Sequence, residues 1–128
     1  IKGLRIIDDS YNANPASVEL GINRLNNIKT KGRKVFIFGD MLELGVNAIK
    51  VHESIAKIIN YSKINILLTF GELSKFSSKK ITNSKIFAKH FQKHETLIAF
   101  IKTNLKKNDV IYIKGSRSMQ LNKIIKKL

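Results

Sequence analysis

The sequence lacks cysteine in all of its 128 residues, so it can form no disulfide, thiolate nucleophile or cysteine-ligated metal site. No apolar run approaches the roughly 20 residues that span a bilayer, and no secretory signal pattern opens the chain. These absences favour a cytoplasmic protein with no membrane partner. The length suits one domain, 1–128, with a real hydrophobic core. Because the chain begins with Ile1 rather than methionine, we expect a fragment of a longer polypeptide.

Acidic residues are scarce, with 9 against 24 basic residues, and the net charge is +15. Such an excess can indicate binding to nucleic acid. Most of the basic residues are lysines spread along the whole chain, however, and no basic patch is interleaved with aromatic residues. The pattern favours a solvated lysine surface over a nucleic-acid partner, although a basic nucleic-acid-binding module remains the alternative from another class. A positive field also favours small anionic substrates.

Apolar runs alternate with stretches of helical periodicity along the chain. The runs predict strands over Leu4–Asp8, Lys34–Phe38, Ile64–Phe70, Lys85–Ala88 and Asp109–Lys114. The periodic stretches predict helices over Ala16–Ile28, Asn47–Tyr61, Glu72–Lys79, Glu95–Lys106 and Ser118–Lys127. This order predicts an α/β fold in which a mostly parallel sheet carries helices on both faces.

The loops that leave the predicted strands differ from those that enter them. The entering loops are lysine-rich and plain, whereas the leaving loops hold glycines and unusual polar residues: Asp8–Pro15, Gly39–Gly45, Gly71-Glu72 and Gly115–Ser118. Ligands of open α/β sheets bind outside the carboxyl ends of the strands. We therefore expect a ligand site at that edge of the sheet.

The segment Asp8-Asp9-Ser10-Tyr11-Asn12-Ala13-Asn14-Pro15 contains more polar groups than folding needs. Asn14 and Pro15 suffice to cap and start the following helix. Two carboxylates, a tyrosine and a second asparagine remain, and they predict a functional role for this loop.

The segment Lys114-Gly115-Ser116-Arg117-Ser118 ends the last predicted strand and opens the last predicted helix. A glycine allows close backbone approach, and a helix N-terminus with two cations beside it favours a carboxylate or phosphate. The alternative is a serine cap with solvated cations. The sequence GxxxxGK[ST], which forms a phosphate-binding loop, is absent.

The remaining candidates carry weaker signals. Asp40, after the second strand, could hold a substrate amine or merely close a turn. The three histidines lack the spacing of a metal site, so no metal ligand is expected in this chain. We expect His52 to pack inside the protein and His90 and His94 to lie on the surface. No serine has a visible histidine–aspartate set, so no catalytic residue is expected within this chain alone.

Together, Asp8–Pro15, Gly39–Gly45 followed by His52, and Lys114–Met119 resemble the C-terminal domain of the Mur ligases, in order and spacing over almost the whole chain. Within that family they resemble the members that add D-alanyl-D-alanine, with other amino-acid specificities as the alternative. The resemblance implies a Rossmann-like three-layer sandwich, belonging to a three-domain, monomeric enzyme of peptidoglycan synthesis.

The resemblance also implies an ATP-dependent reaction in which UDP-N-acetylmuramoyl-tripeptide and D-alanyl-D-alanine are joined through an acyl phosphate. The N-terminal and central domains would complete the enzyme, and the central domain would supply the phosphate-binding loop and the Mg²⁺ ligands. The domain described by this chain would close over the nucleotide and would be inactive alone. Carried over residue by residue, ATP would meet Asp9, Tyr11, Asn12 and Asn14, and the dipeptide would meet Asp40, Lys114, Ser116 and Arg117.

Overall fold

A computed structural model describes residues 3–128, so the first two residues of the predicted domain 1–128 lie outside the described part. Its five strands are β1 (Arg5–Asp9), β2 (Lys34–Gly39), β3 (Ile66–Phe70), β4 (Phe87–Phe91) and β5 (Val110–Lys114). Its α-helices are α1 (Pro15–Asn27), α2 (Ala48–Asn60), α3 (Lys75–Lys79), α4 (His94–Asn104) and α5 (Asn122–Ile125). Single 3₁₀ turns cover Gly45–Asn47 and Arg117–Met119.

The strands form one sheet in the order β1-β5-β2-β3-β4, and every pairing between neighbours is parallel. The last strand in sequence therefore lies between the first and the second. Strands β2, β3 and β5 are buried along nearly their whole length, which explains their continuous apolar sequences. The predicted parallel α/β fold is confirmed.

Helices cover both faces of this sheet, giving three layers. Helices α1 and α2 bury Val18, Ile22, Ile55 and Ile59 against one face, in a cluster with Phe36 and Tyr112. Helix α4 buries Leu97 and Ile101 against the other face, and helix α5 with its N-cap residue buries Ile124 and Leu121 there, in a cluster with Ile37 and Ile113. Burying each such side chain contributes about 1.5–3 kcal/mol, so the two clusters hold the layers together.

Helix α1 begins as its sequence predicts. Asn14 is the N-cap: its side-chain oxygen accepts from the Ser17 amide at 2.9 Å, and the Ser17 hydroxyl accepts from the Asn14 amide at 3.0 Å. Pro15 occupies the first helical position, where its missing N–H removes nothing. The cap fixes the point at which the Asp8–Pro15 loop enters the helix.

Two predicted elements need correction. The fourth strand is Phe87–Phe91 rather than Lys85–Ala88, because Asn83 forms a turn in which its side chain accepts from the Lys85 amide at 2.9 Å. The helix predicted over Ser118–Lys127 is a 3₁₀ turn and the short α5, separated by Gln120. Gln120 has φ +54°, a left-handed conformation that interrupts a right-handed helix.

Candidate functional site

The topology brings the three polar segments to one edge of the sheet. Asp9, the last residue of β1, pairs in register with Lys114, the last residue of β5. On the other side of β5, Lys114 pairs with Phe38, one residue before Gly39 ends β2. Because parallel strands end on the same side, the loops after β1, β2 and β5 leave the sheet side by side.

Two of these segments form the walls of an open groove of about 800 Å³. One wall comes from the loop after β1 and the other from the segment after β5, and the lining residues are Asp8, Asp9, Ser10, Tyr11, Arg117, Ser118, Gln120, Asn122 and Lys123. The first wall carries two carboxylates, and the second carries a guanidinium and an ammonium group. A ligand with both hydroxyl groups and negative charge fits this distribution of donors and acceptors.

The two walls meet where the guanidinium of Arg117 lies over the Tyr11 ring, with its carbon 5.2 Å from the ring centroid. The Tyr11 side chain is 73% exposed, so this contact is at the surface of the groove rather than in the core. A guanidinium stacked on an aromatic face keeps its N–H groups available at its edge. The predicted convergence of the distant polar segments is therefore found in the structure.

Asp9 is held by groups beneath the groove. Its Oδ2 accepts from the Tyr112 hydroxyl at 2.8 Å and lies 3.2 Å from Nζ of Lys114. The Asp9 side chain is about one-third exposed, whereas that of Lys114 is almost completely buried. The ammonium group of Lys114 is thus paired inside the protein. It is not extended into the groove, as a direct contact with the dipeptide would require.

The rest of the loop after β1 is shaped by its own hydrogen bonds. Asp8 Oδ1 accepts from the Ser10 amide at 3.1 Å and also from the Ser10 hydroxyl. Asn12 accepts from the Ala13 amide at 2.9 Å, and Asn14 serves as the helix cap. Asn12 and Asn14 are exposed beside the groove but are not among its lining residues.

Asp40 is buried, with 3% exposure, and its carboxylate accepts from three consecutive backbone amides. The distances are 2.8 Å to Glu72 N, 3.0 Å to Leu73 N and 2.7 Å to Ser74 N. Gly71 has φ +113°, and a Cβ there would lie 2.5 Å from an oxygen of the same carboxylate. This geometry matches the alternative stated from the sequence, in which Asp40 closes a turn, here the loop after β3.

The segment after β5 differs from the predicted helix N-terminus. It is a 3₁₀ turn, so the prediction that the N-terminus of a helix forms an anion site here needs correction. Gly115 is required by internal packing: a Cβ there would lie 2.9 Å from Cδ1 of Leu121 and 3.0 Å from Cα of Gly39. Ser116 is buried, with its amide bonded to the Asp40 carbonyl at 3.0 Å and its hydroxyl 3.3 Å from that of Ser118.

The three histidines have structural partners. His52 is fully buried, as predicted, and its Nε2 accepts from the Met41 amide at 3.0 Å, while Nδ1 lies 2.8 Å from the Ala48 carbonyl. Burial lowers the pKa of His52, which keeps the ring neutral. His90 and His94 are half-buried, so they reach the surface predicted for them only in part. Nδ1 of His90 lies 2.7 Å from the Thr69 hydroxyl, and Nε2 of His94 lies 2.9 Å from the Met119 carbonyl.

Sequence reasoning missed several groove residues. These are Gln120, Asn122 and Lys123, which lie at or just after a residue with a left-handed backbone, Gln120, and no sequence signal announces that conformation. The sequence pattern predicts Tyr112 only as part of an apolar strand. A tyrosine within such an apolar run is the signal that could have marked it as a residue near the site.

Neither a metal cluster nor a membrane-spanning helix is found in the described part of the chain. No three histidine, aspartate or glutamate side chains within residues 3–128 are placed to share a metal ion. Over the same residues, no helix has the length and apolar character required to cross a membrane.

The class of protein follows from the family that the sequence matches. The family described as Mur ligase, glutamate ligase domain, matches residues 1–117, so the chain belongs to the Mur ligases. This confirms the resemblance drawn from the three polar segments.

Comparison with individual proteins narrows the relationship. The chain is 34% identical over 128 residues to the UDP-N-acetylmuramoyl-tripeptide--D-alanyl-D-alanine ligase of Bacillus subtilis (strain 168). The aligned region covers 98% of this chain and 28% of the relative. It is 42% identical over 125 residues to the ligase of the same name from Buchnera aphidicola subsp. Baizongia pistaciae, covering 96% of this chain and 26% of that relative. The chain thus spans about a quarter of the length of these curated relatives.

Solved structures agree with this relationship. The MurF ligase from Thermotoga maritima in complex with ADP superposes with a TM-score of 0.78 at 27% identity, covering 98% of this chain and 28% of that one. MurF from Acinetobacter baumannii superposes with a TM-score of 0.83 at 25% identity, covering 100% of this chain and 28% of that one.

Proposed function

We propose that this chain is the C-terminal domain of an ATP-dependent ligase that joins D-alanyl-D-alanine to UDP-N-acetylmuramoyl-tripeptide. The observation that carries the proposal is the groove between Asp8–Tyr11 and Arg117–Lys123, two segments that are more than 100 residues apart in the sequence. The names of the relatives support the substrate assignment, and the ADP bound to the MurF ligase from Thermotoga maritima supports a nucleotide.

In this proposal the groove receives ATP. The carboxylate of Asp9 accepts hydrogen bonds from the ribose, and the Tyr11 ring offers a flat apolar surface beside it. Asn12 and Asn14 extend the same edge. Their side-chain oxygens accept from the Ala13 and Ser17 amides, so their side-chain NH₂ groups are the candidates for contacts with the nucleotide. On the opposite wall, Arg117 and Lys123 attract the anionic phosphates.

The dipeptide site is proposed next to the nucleotide, where the ends of β2 and β5 adjoin. Arg117 and Ser116 are the candidates for contacts with the dipeptide or with negative charge that develops at the reacting carboxyl group. Lys114 and Asp40 are proposed to act from below: Lys114 through its ion pair with Asp9, and Asp40 by fixing the loop after β3.

The proposed reaction needs parts that this chain does not contain. ATP phosphorylates the terminal carboxylate of the UDP-linked tripeptide, the dipeptide amine attacks the acyl phosphate, and a peptide bond forms as phosphate leaves. The sequence has no GxxxxGK[ST] loop, and no three histidine, aspartate or glutamate side chains within residues 3–128 are placed to share a metal ion. The phosphate-binding loop and the Mg²⁺ are therefore assigned to other domains of a longer enzyme, over which this domain closes.

The test uses the complete polypeptide that contains this chain, purified and supplied with ATP, Mg²⁺ and UDP-N-acetylmuramoyl-tripeptide. We expect phosphate release that depends on D-alanyl-D-alanine and a product lengthened by that dipeptide in mass spectrometry. Phosphate release with a single amino acid but not with the dipeptide would instead assign another specificity within the family. Tight, salt-sensitive binding to random DNA duplex, with no ligation of any amine, would overturn the proposal in favour of a nucleic-acid-binding module.

A further inference from the structure

A single tyrosine lies in the core directly beneath the groove. Tyr112, in β5, has 1% of its surface exposed, whereas the other two tyrosines, Tyr11 and Tyr61, are 73% and 93% exposed. A buried phenol oxygen needs a hydrogen-bond partner. Here the hydroxyl donates to Asp9 Oδ2 at 2.8 Å, and Nη1 of Arg24 lies 3.5 Å from the same hydroxyl oxygen.

Helix α1 packs closely against this ring at a position that has no side chain. Gly21 lies in the middle of the helix, and a Cβ at that position would be 2.9 Å from Cε1 of Tyr112 and 3.4 Å from its Cζ. A glycine in a helix interior destabilises the helix by about 1 kcal/mol relative to alanine. The helix thus gives up propensity at a residue that packs directly against the tyrosine ring.

The tyrosine leaves one oxygen of Asp9 available. Both of the contacts described for the carboxylate, from Tyr112 and from Lys114, involve Oδ2. Oδ1 has no hydrogen-bond partner within residues 3–128, and Asp9 is one of the groove-lining residues. Anchoring Oδ2 fixes the plane of the carboxylate and therefore the direction in which Oδ1 accepts hydrogen bonds.

We infer that Tyr112 is a positioning residue that orients the Asp9 carboxylate toward the ribose hydroxyl groups of a nucleotide in the groove. The inference rests on the proposed function and adds a residue to it. An aspartate side chain that is already immobilised loses less conformational entropy when a ligand binds. Burial also raises the pKa of Tyr112, so the phenol keeps its proton at neutral pH and remains a donor.

The main test is Tyr112→Phe in the complete enzyme, because phenylalanine fills the same space and removes only the hydroxyl. We expect the KM for ATP to rise three- to tenfold while kcat changes less than twofold. The wild type should prefer ATP over 2′,3′-dideoxy-ATP, and this preference should shrink in the variant, since the lost contact serves the ribose. The matched control is Tyr61→Phe, the same substitution at an exposed tyrosine outside the groove, which should leave all three values unchanged.

A double-mutant cycle separates positioning from general packing. In an Asp9→Asn background, adding Tyr112→Phe should change the KM for ATP by less than twofold, because the group that it orients has already been altered. A second variant, Gly21→Ala, displaces the ring without removing the hydroxyl and should raise the same KM two- to fivefold. It serves as the test if Tyr112→Phe does not fold.

The inference is overturned if Tyr112→Phe keeps both the KM for ATP and the preference over the dideoxy analogue. Equal effects of Tyr112→Phe with and without Asp9→Asn would also overturn it, since they would show a structural role independent of Asp9. A wild-type enzyme that binds ATP without ligating the dipeptide would contradict the proposed substrates only. In that case, weaker ATP binding by Tyr112→Phe in calorimetry still supports the positioning role, whereas an absence of ATP binding by the wild type contradicts both.

Discussion

The two ends of the sheet use polar side chains in different ways. At the end where the strands begin, Asp109, Asn65 and Asn60 accept hydrogen bonds from backbone amides of neighbouring loops. At the end where the strands finish, Asp9, Tyr11 and Arg117 face an open groove. The beginning end thus uses these side chains to close its own loops. The finishing end closes one loop in the same way, through Asp40, and also keeps groups for a ligand.

The two aspartates Asp109 and Asp9 make this difference concrete. Asp109 is 1% exposed and accepts four hydrogen bonds: from the Arg33 amide at 2.9 Å, from Arg33 Nε at 3.2 Å and Nη2 at 2.6 Å, and from the Lys106 amide at 2.9 Å. Asp9 is one-third exposed and uses one oxygen for its internal contacts. Substitutions of Asp109 and of the groove residues should therefore separate stability from ligand binding.

The largest effect on stability is expected for Asp109→Ala. The change leaves two backbone amides without their acceptor and the Arg33 guanidinium with only the Asn104 carbonyl, which should lower the free energy of unfolding by about 2–3 kcal/mol. The full penalty of a completely buried pair does not apply, because Arg33 is about one-third exposed. Urea denaturation measures the loss, and an unchanged midpoint would contradict the role assigned to this network.

Asp109 should also make the stability of the protein depend on pH. Burial opposes the charged form of Asp109, but hydrogen bonds from Arg33 and Lys106 outweigh it and hold its pKa below the ordinary value. Its stabilising contribution is therefore complete above the unfolded pKa of about 3.9 and is lost as the pH falls through the lower folded value. Asp109→Asn should make the midpoint less sensitive to pH in that range.

A somewhat smaller effect is expected for Asp40→Ala, at the finishing end. Removing the acceptor of three amides should cost about 2 kcal/mol, because water can reach part of the loop after β3. Asp40→Asn, which keeps one acceptor oxygen, should cost less. An unchanged unfolding midpoint together with a higher KM for D-alanyl-D-alanine would instead assign Asp40 a direct contact with the dipeptide.

Arg117→Ala should weaken nucleotide binding and leave the fold intact. Loss of the stacked guanidinium and its charge should reduce ATP affinity by about 1 kcal/mol, or roughly fivefold, in calorimetry on the complete enzyme. The unfolding midpoint should not move, because the side chain lies at the surface. Arg5→Ala, at the beginning end of β1, is the matched control. Equal ATP affinity of Arg117→Ala and wild type would exclude Arg117 from the nucleotide contacts and leave only its proposed contact with the dipeptide.

The smallest effect concerns His52. Burial lowers its pKa, and Nε2 must stay unprotonated to accept from the Met41 amide. Its contribution to stability is therefore full above the unfolded pKa of about 6.5 and decreases as the pH falls below that value toward the folded pKa. The pKa of His90 is also lowered by burial, so both histidines contribute to the wild-type slope. The fall in melting temperature between pH 7.5 and pH 5.0 should be smaller for His52→Gln than for the wild type. An equal fall in both would contradict the role assigned to His52.

Much of the fold could be predicted because the sequence patterns are strong. Runs such as those of β2 and β5 are apolar at almost every position, which indicates strands covered on both faces. The edge strand β4 was shifted because its sequence, Phe-Ala-Lys-His-Phe, alternates and includes a charge. The last helix was overestimated because its apolar spacing is helical, while the break at Gln120 depends on tertiary packing.

The site could be predicted in position but not in detail. Loops that follow parallel strands must meet at one edge, so the proximity of Tyr11 and Arg117 follows from the element order. The burial of Lys114 against Asp9 and the use of Asp40 as an acceptor for three amides depend on side-chain directions that no spacing reveals. The individual ligand roles of the predicted residues remain predictions.

Gly39 and Gly115 together set a limit on how this groove can be altered. Cδ1 of Leu121 lies 2.9 Å from the place of a Cβ on either glycine, and the two glycines also touch each other. An added methyl group at either one would push on the same leucine and lift the strip of chain that bears Arg117. The two positions thus share a single steric constraint. A larger residue at one glycine cannot be accommodated by a change at the other. A larger residue at either glycine therefore calls for a smaller side chain at Leu121.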